Sequence, residues 1–282
     1  MKTCGLLLFR CLVLLPLIHA VGVSAGEPPL SLGVVPVESP VSLLKRYAGL
    51  RDQLASSAGR PVVVETAPDN IEFVRRCAQG RYDIVLTGPH LALLAAESGH
   101  YQVRLVAQPP LTAQVVIARN GTTRTLADLS GRRVAIPPQH SLIALVGRHY
   151  LGEQGLTGAQ EPAWRVYHTH NAAVQAVLAG EADAAVVNSY TYARLRNTGM
   201  ALRSLGGSAT LPGLAVLFAE RMPAAQRDAL VEGLLGLSAS PLGRERLATA
   251  GMEGFSRATS EDFEPARKYL EGQPWPGQRS RP

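Results

Sequence analysis

Between residues 30 and 219 the chain alternates short β-branched runs with helix-patterned stretches, and this alternation constrains the fold more than any other feature. Residues 30–37, 61–66 and 82–87 read as strands, with helices predicted over 40–57 and 70–79 between them. A βαβαβ order of this kind implies a largely parallel sheet covered by helices. A further helix is predicted over 89–98, with Pro89 in the first turn, where its missing N–H would lack a helical partner anyway. Extended segments follow over 101–107 and 112–119. After the turn dipeptide Asn120-Gly121 the pattern restarts, with strands over 133–136, 165–168, 182–187 and 201–205 and helices over 141–154, 171–179 and 190–196. A strand over 214–219 then leads into mostly helical sequence as far as residue 270, including 223–237 and 241–250. Two α/β lobes are expected, with the C-terminal helices returning to the first.

The composition supports a folded chain: 46% of its 282 residues are hydrophobic and only 18% are charged. A formal charge of +6 could suggest a nucleic-acid partner, but 5% aromatics and no long basic run leave out the stacking and basic groove that such binding needs. The first 25 residues have the pattern of a signal peptide. Lys2 is followed by a largely apolar stretch from Leu6 to Leu17, broken at Arg10, and Val23-Ser24-Ala25 resembles a cleavage site. The expected mature chain begins near Gly26, with cleavage after Ala20 as the alternative. The apolar run falls short of the ~20 residues that span a bilayer, so export to the periplasm is expected, without stable membrane insertion after cleavage. Cys4 and Cys11 would leave with the signal, and Cys77 alone cannot close an intramolecular disulfide. Leu8-Phe9-Arg10 lacks the small residues that precede a lipid-bearing cysteine.

Several phrases, in their order and spacing, resemble the phosphate/phosphite/phosphonate-binding (PhnD-like) solute-binding proteins of ABC importers. They are Leu32-Gly33-Val34-Val35-Pro36, the segment 82–89, the segment 126–135, the segment 170–184 and Pro241-Leu242-Gly243-Arg244. The resemblance implies a two-lobed type II periplasmic binding protein fold of the α/β class, with a hinge of two crossing strands. Lobe one would comprise residues 27–116 and 214–282, and lobe two residues 117–213. It also implies a small, anionic ligand of phosphonate or phosphate type, or another oxyanion or carboxylate. The partner would be an ABC permease, or a sensor kinase if closure serves sensing.

In open α/β sheets ligands sit at the carboxyl ends of strands, where the following helices direct free N–H groups and partial positive charge at an anion. The strand-to-helix junctions supply Ser39, Thr87, Gly88 and His90 in lobe one, and Gln139, His140, Ser141, His170 and Asn188 in lobe two, as candidate ligand-binding residues. Hydroxyls and amides at such positions also serve simply as N-caps; Ser39, Asn171 and Ser189 fit that structural role as well. The chain departs from the family at His140-Ser141-Leu142-Ile143, where phosphonate binders typically carry a Ser-Thr-Ser-Gly run. Most of those hydroxyl donors are missing, so a carboxylate or sulfur oxyanion fits comparably.

No metal and no cofactor are expected. His90, His140 and His170 could converge, but there is no HExxH or paired-Cys spacing, and Glu38 is the only obvious carboxylate nearby. Catalysis is not expected either. The GxSxG match at Gly22-Val23-Ser24-Ala25-Gly26 straddles the cleavage site, and Cys77 falls on a helix away from the junctions.

Overall fold

The computed structural model describes residues 27–276. The first unit runs β1 (Leu30–Val34), α1 (Pro40–Arg46), α2 (Ala48–Ala58), β2 (Val62–Glu65), α3 (Asn70–Ala78), β3 (Ile84–Thr87), α4 (Pro89–Glu97) and β4 (Tyr101–Gln108). The chain crosses to a second unit of β5 (Ala113–Ala118), β6 (Arg133–Ile136), α5 (Leu142–Glu153), β7 (Ala163–Val166), α6 (His170–Leu178), β8 (Ala184–Asn188), α7 (Ser189–Asn197) and β9 (Leu202–Gly207). It returns through β10 (Ala215–Ala219), α8 (Ala224–Leu235), α9 (Pro241–Ala250) and β11 (Gly254–Arg257), ending in a succession of 3-10 turns over Ser260–Tyr269.

Two sheets result, ordered β11-β4-β10-β3-β1-β2 and β7-β6-β8-β5-β9. In the first, β1 lies parallel between β2 and β3, while β10 inserts antiparallel between β3 and β4. The pleat sends alternate residues to opposite faces. Ile84 and Leu86 of β3 enter one core, with Leu32, Val216 and Phe218; Val85 enters the other, with Phe73, Tyr82 and Leu217. The second sheet divides its residues likewise, Val115 and Ile117 on one face and Val116 on the other. α8 and α9 pack on α2, and the terminal turns pack on α4. No described helix is long and apolar enough to cross a membrane.

The two crossovers lie side by side. Leu111 and Leu211 exchange both backbone hydrogen bonds at 2.8 Å, tying the outgoing strand to the returning one. Gly213 is required in that hinge, because a Cβ there would stand 2.0 Å from the carbonyl oxygen of Ala107. The type II architecture with its pair of crossing strands is therefore present.

Several boundaries differ from the expectation. The helix expected over 40–57 is two helices, because the backbone of Tyr47 leaves the helical region (φ −98, ψ 9) as its side chain is buried. The strand expected over 165–168 is displaced to Ala163–Val166, because Thr169 must leave the ladder to cap α6. β11 falls in sequence expected to be mostly helical; it is a four-residue edge strand held by β4. β5 pairs with β8 and β9 throughout, so residues 113–116 stand in the second sheet, not in lobe one as the sequence division has it. The expected signal peptide over 1–25 lies outside the described residues.

Candidate functional site

The lobes enclose a cavity of about 60 Å³, several times the ~10 to 15 Å³ that admits one water. Its wall combines Asn70, Gly88 and His90 from the first lobe with Ser141, His170 and Asn188 from the second. Each belongs to the start of a helix. Asn70 opens α3, Gly88 caps α4 with His90 in its first turn, Ser141 caps α5, His170 opens α6 and Asn188 caps α7. Five N-termini thus converge on one enclosed volume, each bringing about half a unit of positive charge and N–H groups without helical acceptors.

The caps satisfy some of those groups. Ser141 Oγ accepts from the Ala144 N–H at 3.4 Å, and Asn188 Oδ1 accepts from the Thr191 N–H at 2.6 Å. At α4 the cap is Gly88, which offers no side-chain acceptor, so its first turn faces the cavity uncapped.

Charge concentrates beside the same wall. Arg46, on α1, reaches Glu38 at 2.5 Å, and Arg194, on α7 of the other lobe, approaches the same carboxylate oxygen at 3.8 Å. Two guanidinium groups facing one carboxylate leave a formal excess of one positive charge. Arg194 also donates to Asn171 Oδ1 at 2.7 Å. The buried His170 imidazole is pushed down to about 3, first by desolvation and then by the positive charges of Arg46 and Arg194. His90 falls to about 3 through desolvation, only partly opposed by the His140 carbonyl. Burial pushes the Tyr47 hydroxyl up to about 12. At neutral pH the wall therefore presents two neutral imidazoles and a neutral phenol beside fixed arginines.

Several buried polar atoms here have no partner within the protein: Asn70 Oδ1, His90 Nδ1 and His170 Nδ1 on the wall, with Arg194 Nε beside it. An unpaired buried polar atom costs ~1 to 3 kcal/mol, so a cluster of them marks a place where something polar belongs.

Of the nine candidates, Gly88, His90, Ser141, His170 and Asn188 line the cavity, and the other four do not. Ser39 is exposed and caps α1, accepting from the Ser42 N–H at 3.3 Å. Thr87 is wholly buried with an unpartnered Oγ1 but lies outside the wall. Gln139 is exposed against His140, at 3.1 Å. His140 turns to the rim, its Nδ1 2.8 Å from Gln273 Oε1 and its ring edge-to-face with Trp275. The C-terminal segment thus contacts both lobes: Trp275 also meets His90 edge-to-face, and Tyr269 packs against the second-lobe core. Arg46, Asn70, Tyr47 and Arg194 are absent from the sequence-based candidates. Arg46 and Arg194 sit within helices, where the junction rule does not look. Asn70 does open a helix, and following the junction after β2 would have found it.

Among the described residues, no group of three or more His, Cys, Asp or Glu side chains is placed to hold a metal ion. His168 is exposed while His170 is buried, because the chain passes at Thr169 into α6 and His170 opens that helix. Burial pushes the Cys77 thiol up to about 12, which leaves it protonated and unreactive at neutral pH.

Two hinged α/β lobes closing on a cavity with polar groups from both define the class of two-lobed solute-binding proteins. The family model of periplasmic substrate-binding proteins of ABC phosphonate transporters matches residues 32–263, and the chain belongs to that family. Solved structures share the fold. A binding protein component of an ABC phosphonate transporter from Pseudomonas aeruginosa is 17% identical, with a TM-score of 0.74 over 86% of this chain and 85% of that one. PhnD1 from Prochlorococcus marinus, in complex with methylphosphonate, is 16% identical, with a TM-score of 0.74 over 86% of this chain and 96% of that one. A histidine kinase sensor domain similar to periplasmic binding proteins is 18% identical, with a TM-score of 0.53 over 80% of this chain and 97% of that one.

Proposed function

We propose that this protein captures a small anion in the interlobe cavity and that the closed, loaded form is what an ABC permease reads. The observation that carries the proposal is the cluster of unpartnered buried polar atoms where five helix N-termini meet two arginines. Ligand contacts from both lobes bias the open–closed equilibrium, because only the closed form makes all of them. Capture is binding without turnover. The likeness to a kinase sensor domain supports a second reading, in which the same closure reports to a kinase.

The test is a thermal-shift panel on unfolded and refolded protein, using methylphosphonate, phosphate, phosphite, methanesulfonate, sulfate and acetate. At 100 times the dissociation constant the binding anion is expected to stabilise the fold by ~2.7 kcal/mol, and to be recovered chemically unchanged. No response to any of the six, or conversion of the bound anion, would overturn the proposal. Periplasmic export carries its own expectation. Intact-mass measurement of protein from a periplasmic extract should give a chain starting near Gly26 with no lipid, and a retained Met1 or a lipid on Cys11 contradicts it.

A further inference from the structure

His90 shows a feature that anion capture alone does not use, and the role assigned to it below presupposes that capture. The residue is 2% exposed, and its Nε2 lies 3.5 Å from the carbonyl oxygen of His140, across the cleft. A carbonyl oxygen only accepts, so the tautomer that uses this contact carries its proton on Nε2. Nδ1 is then a bare lone pair, buried and without a partner. It stands beside the cavity wall, since a Cβ on Gly88 would come within 3.5 Å of it. Desolvation holds the ring neutral, so the charged form with two donors is not available at neutral pH. Asn70 Oδ1 is a second unpartnered acceptor, but an amide can turn over to present its NH₂ instead. The contact from the opposite lobe favours the tautomer of His90 with Nδ1 bare.

The same cavity offers donors to an anion: the uncapped first turn of α4 and the Arg46 guanidinium on its wall, with Arg194 beside it and the one carboxylate there, Glu38, already engaged by both arginines. A fully deprotonated oxyanion would set oxygen lone pairs against His90 Nδ1. One carrying a single O–H can point that hydrogen at Nδ1 while its charged oxygens take the donors. We propose that His90 is a specificity-determining residue: the cavity takes a tetrahedral oxyanion bearing one O–H, donates no proton to it, and reads that O–H with His90 Nδ1. Oxyanions of the same shape and charge without the O–H are rejected.

Calorimetry with two isosteric monoanions tests this. Just below neutral pH, methylphosphonate is largely singly protonated, whereas methanesulfonate has the same shape and charge but no O–H. The protein is expected to bind methylphosphonate at least ~100-fold more tightly, since a site built around a substrate hydroxyl discriminates strongly against an analogue lacking it. His90→Phe keeps a ring beside Trp275 but removes the acceptor, and should cut the ratio to ~5-fold or less, with His90→Leu as a second acceptor-free variant. Equal affinities in the unmodified protein overturn the assignment and leave anion capture standing, as does binding of acetate or sulfate when neither probe binds. A ratio unchanged in a folded variant overturns it too. Should neither variant fold, the ratio in the unmodified protein decides alone. Binding of no anion at all overturns capture itself.

Discussion

Acidifying the ligand-free protein from neutrality to about pH 4.5 is expected to remove about 5 kcal/mol of folding stability through His90 and His170 alone. Both imidazoles are 2% exposed, and both are pushed from 6.5 down to about 3, chiefly by desolvation. The sign depends on which state takes the protons. Below pH 6.5 the unfolded chain protonates both rings while the folded one keeps them neutral until about 3, so the stability is whole above 6.5 and falls through that window. Each group contributes ~1.4 kcal/mol per pH unit once the unfolded ring is charged, which over about two units and two rings gives the figure above. The charges acting on His170 are Arg46 and Arg194, which deepen its shift; the His90 shift has no charged group among its causes, the His140 carbonyl opposing it in part. Carboxylates held low, such as Glu72 at about 2, enter only at lower pH. Urea unfolding at the two pH values measures the loss, and His90→Phe with His170→Gln should remove most of it. A slope that survives in the folded double variant would show that other groups carry the acid sensitivity.

The order of elements is legible in the sequence because alternation of apolar runs and helical periodicity follows directly from burial. Strand β3, buried on both faces, reads as an uninterrupted Ile84-Val85-Leu86, and β11, with only Phe255 buried, offers no such run. The break at Tyr47 is hidden because its cause is tertiary: the side chain is claimed by a core that includes Leu230 and Leu247, from the far end of the sequence. The site divides in the same way. Residues fixed by local backbone geometry, the N-terminal ends of α4 to α7, can be found from the sequence, because a ligand at the carboxyl end of a strand must meet the helix that follows. Arg46 and Arg194 cannot be found that way. They matter because two helices from different lobes bring them to one carboxylate, and nothing within either helix encodes that meeting. His140 is equally opaque for the opposite reason, since a partner 133 residues away, Gln273, draws it to the rim.

That carboxylate gives the second large effect: Glu38→Gln should weaken the ligand-free protein and strengthen its hold on an anion. Glu38 is 6% exposed in its side chain and Arg46 12%, so the pair is buried, and removing one charge of such a pair typically costs ~3 to 5 kcal/mol. The loss has a direction in space. Glu38 and Arg46 belong to the first lobe and Arg194 to the second, so without the carboxylate two guanidinium groups confront each other across the cleft and push it open. An anion in the cavity then becomes the main counter-charge available to both. Coulomb attraction at ~5 Å in an effective dielectric of ~20 is ~3 kcal/mol, which makes a ~10- to 100-fold gain in affinity the expected result. Unfolding of the ligand-free variant, calorimetry with the anion found by the panel, and small-angle scattering with and without that anion read the three parts separately. If stability falls while affinity stays the same or declines, Glu38 is only a brace between helices. If both move as expected, Glu38 is an internal counter-ion whose place the ligand must contest, and the affinity of this receptor is set by that competition as much as by the contacts the ligand makes.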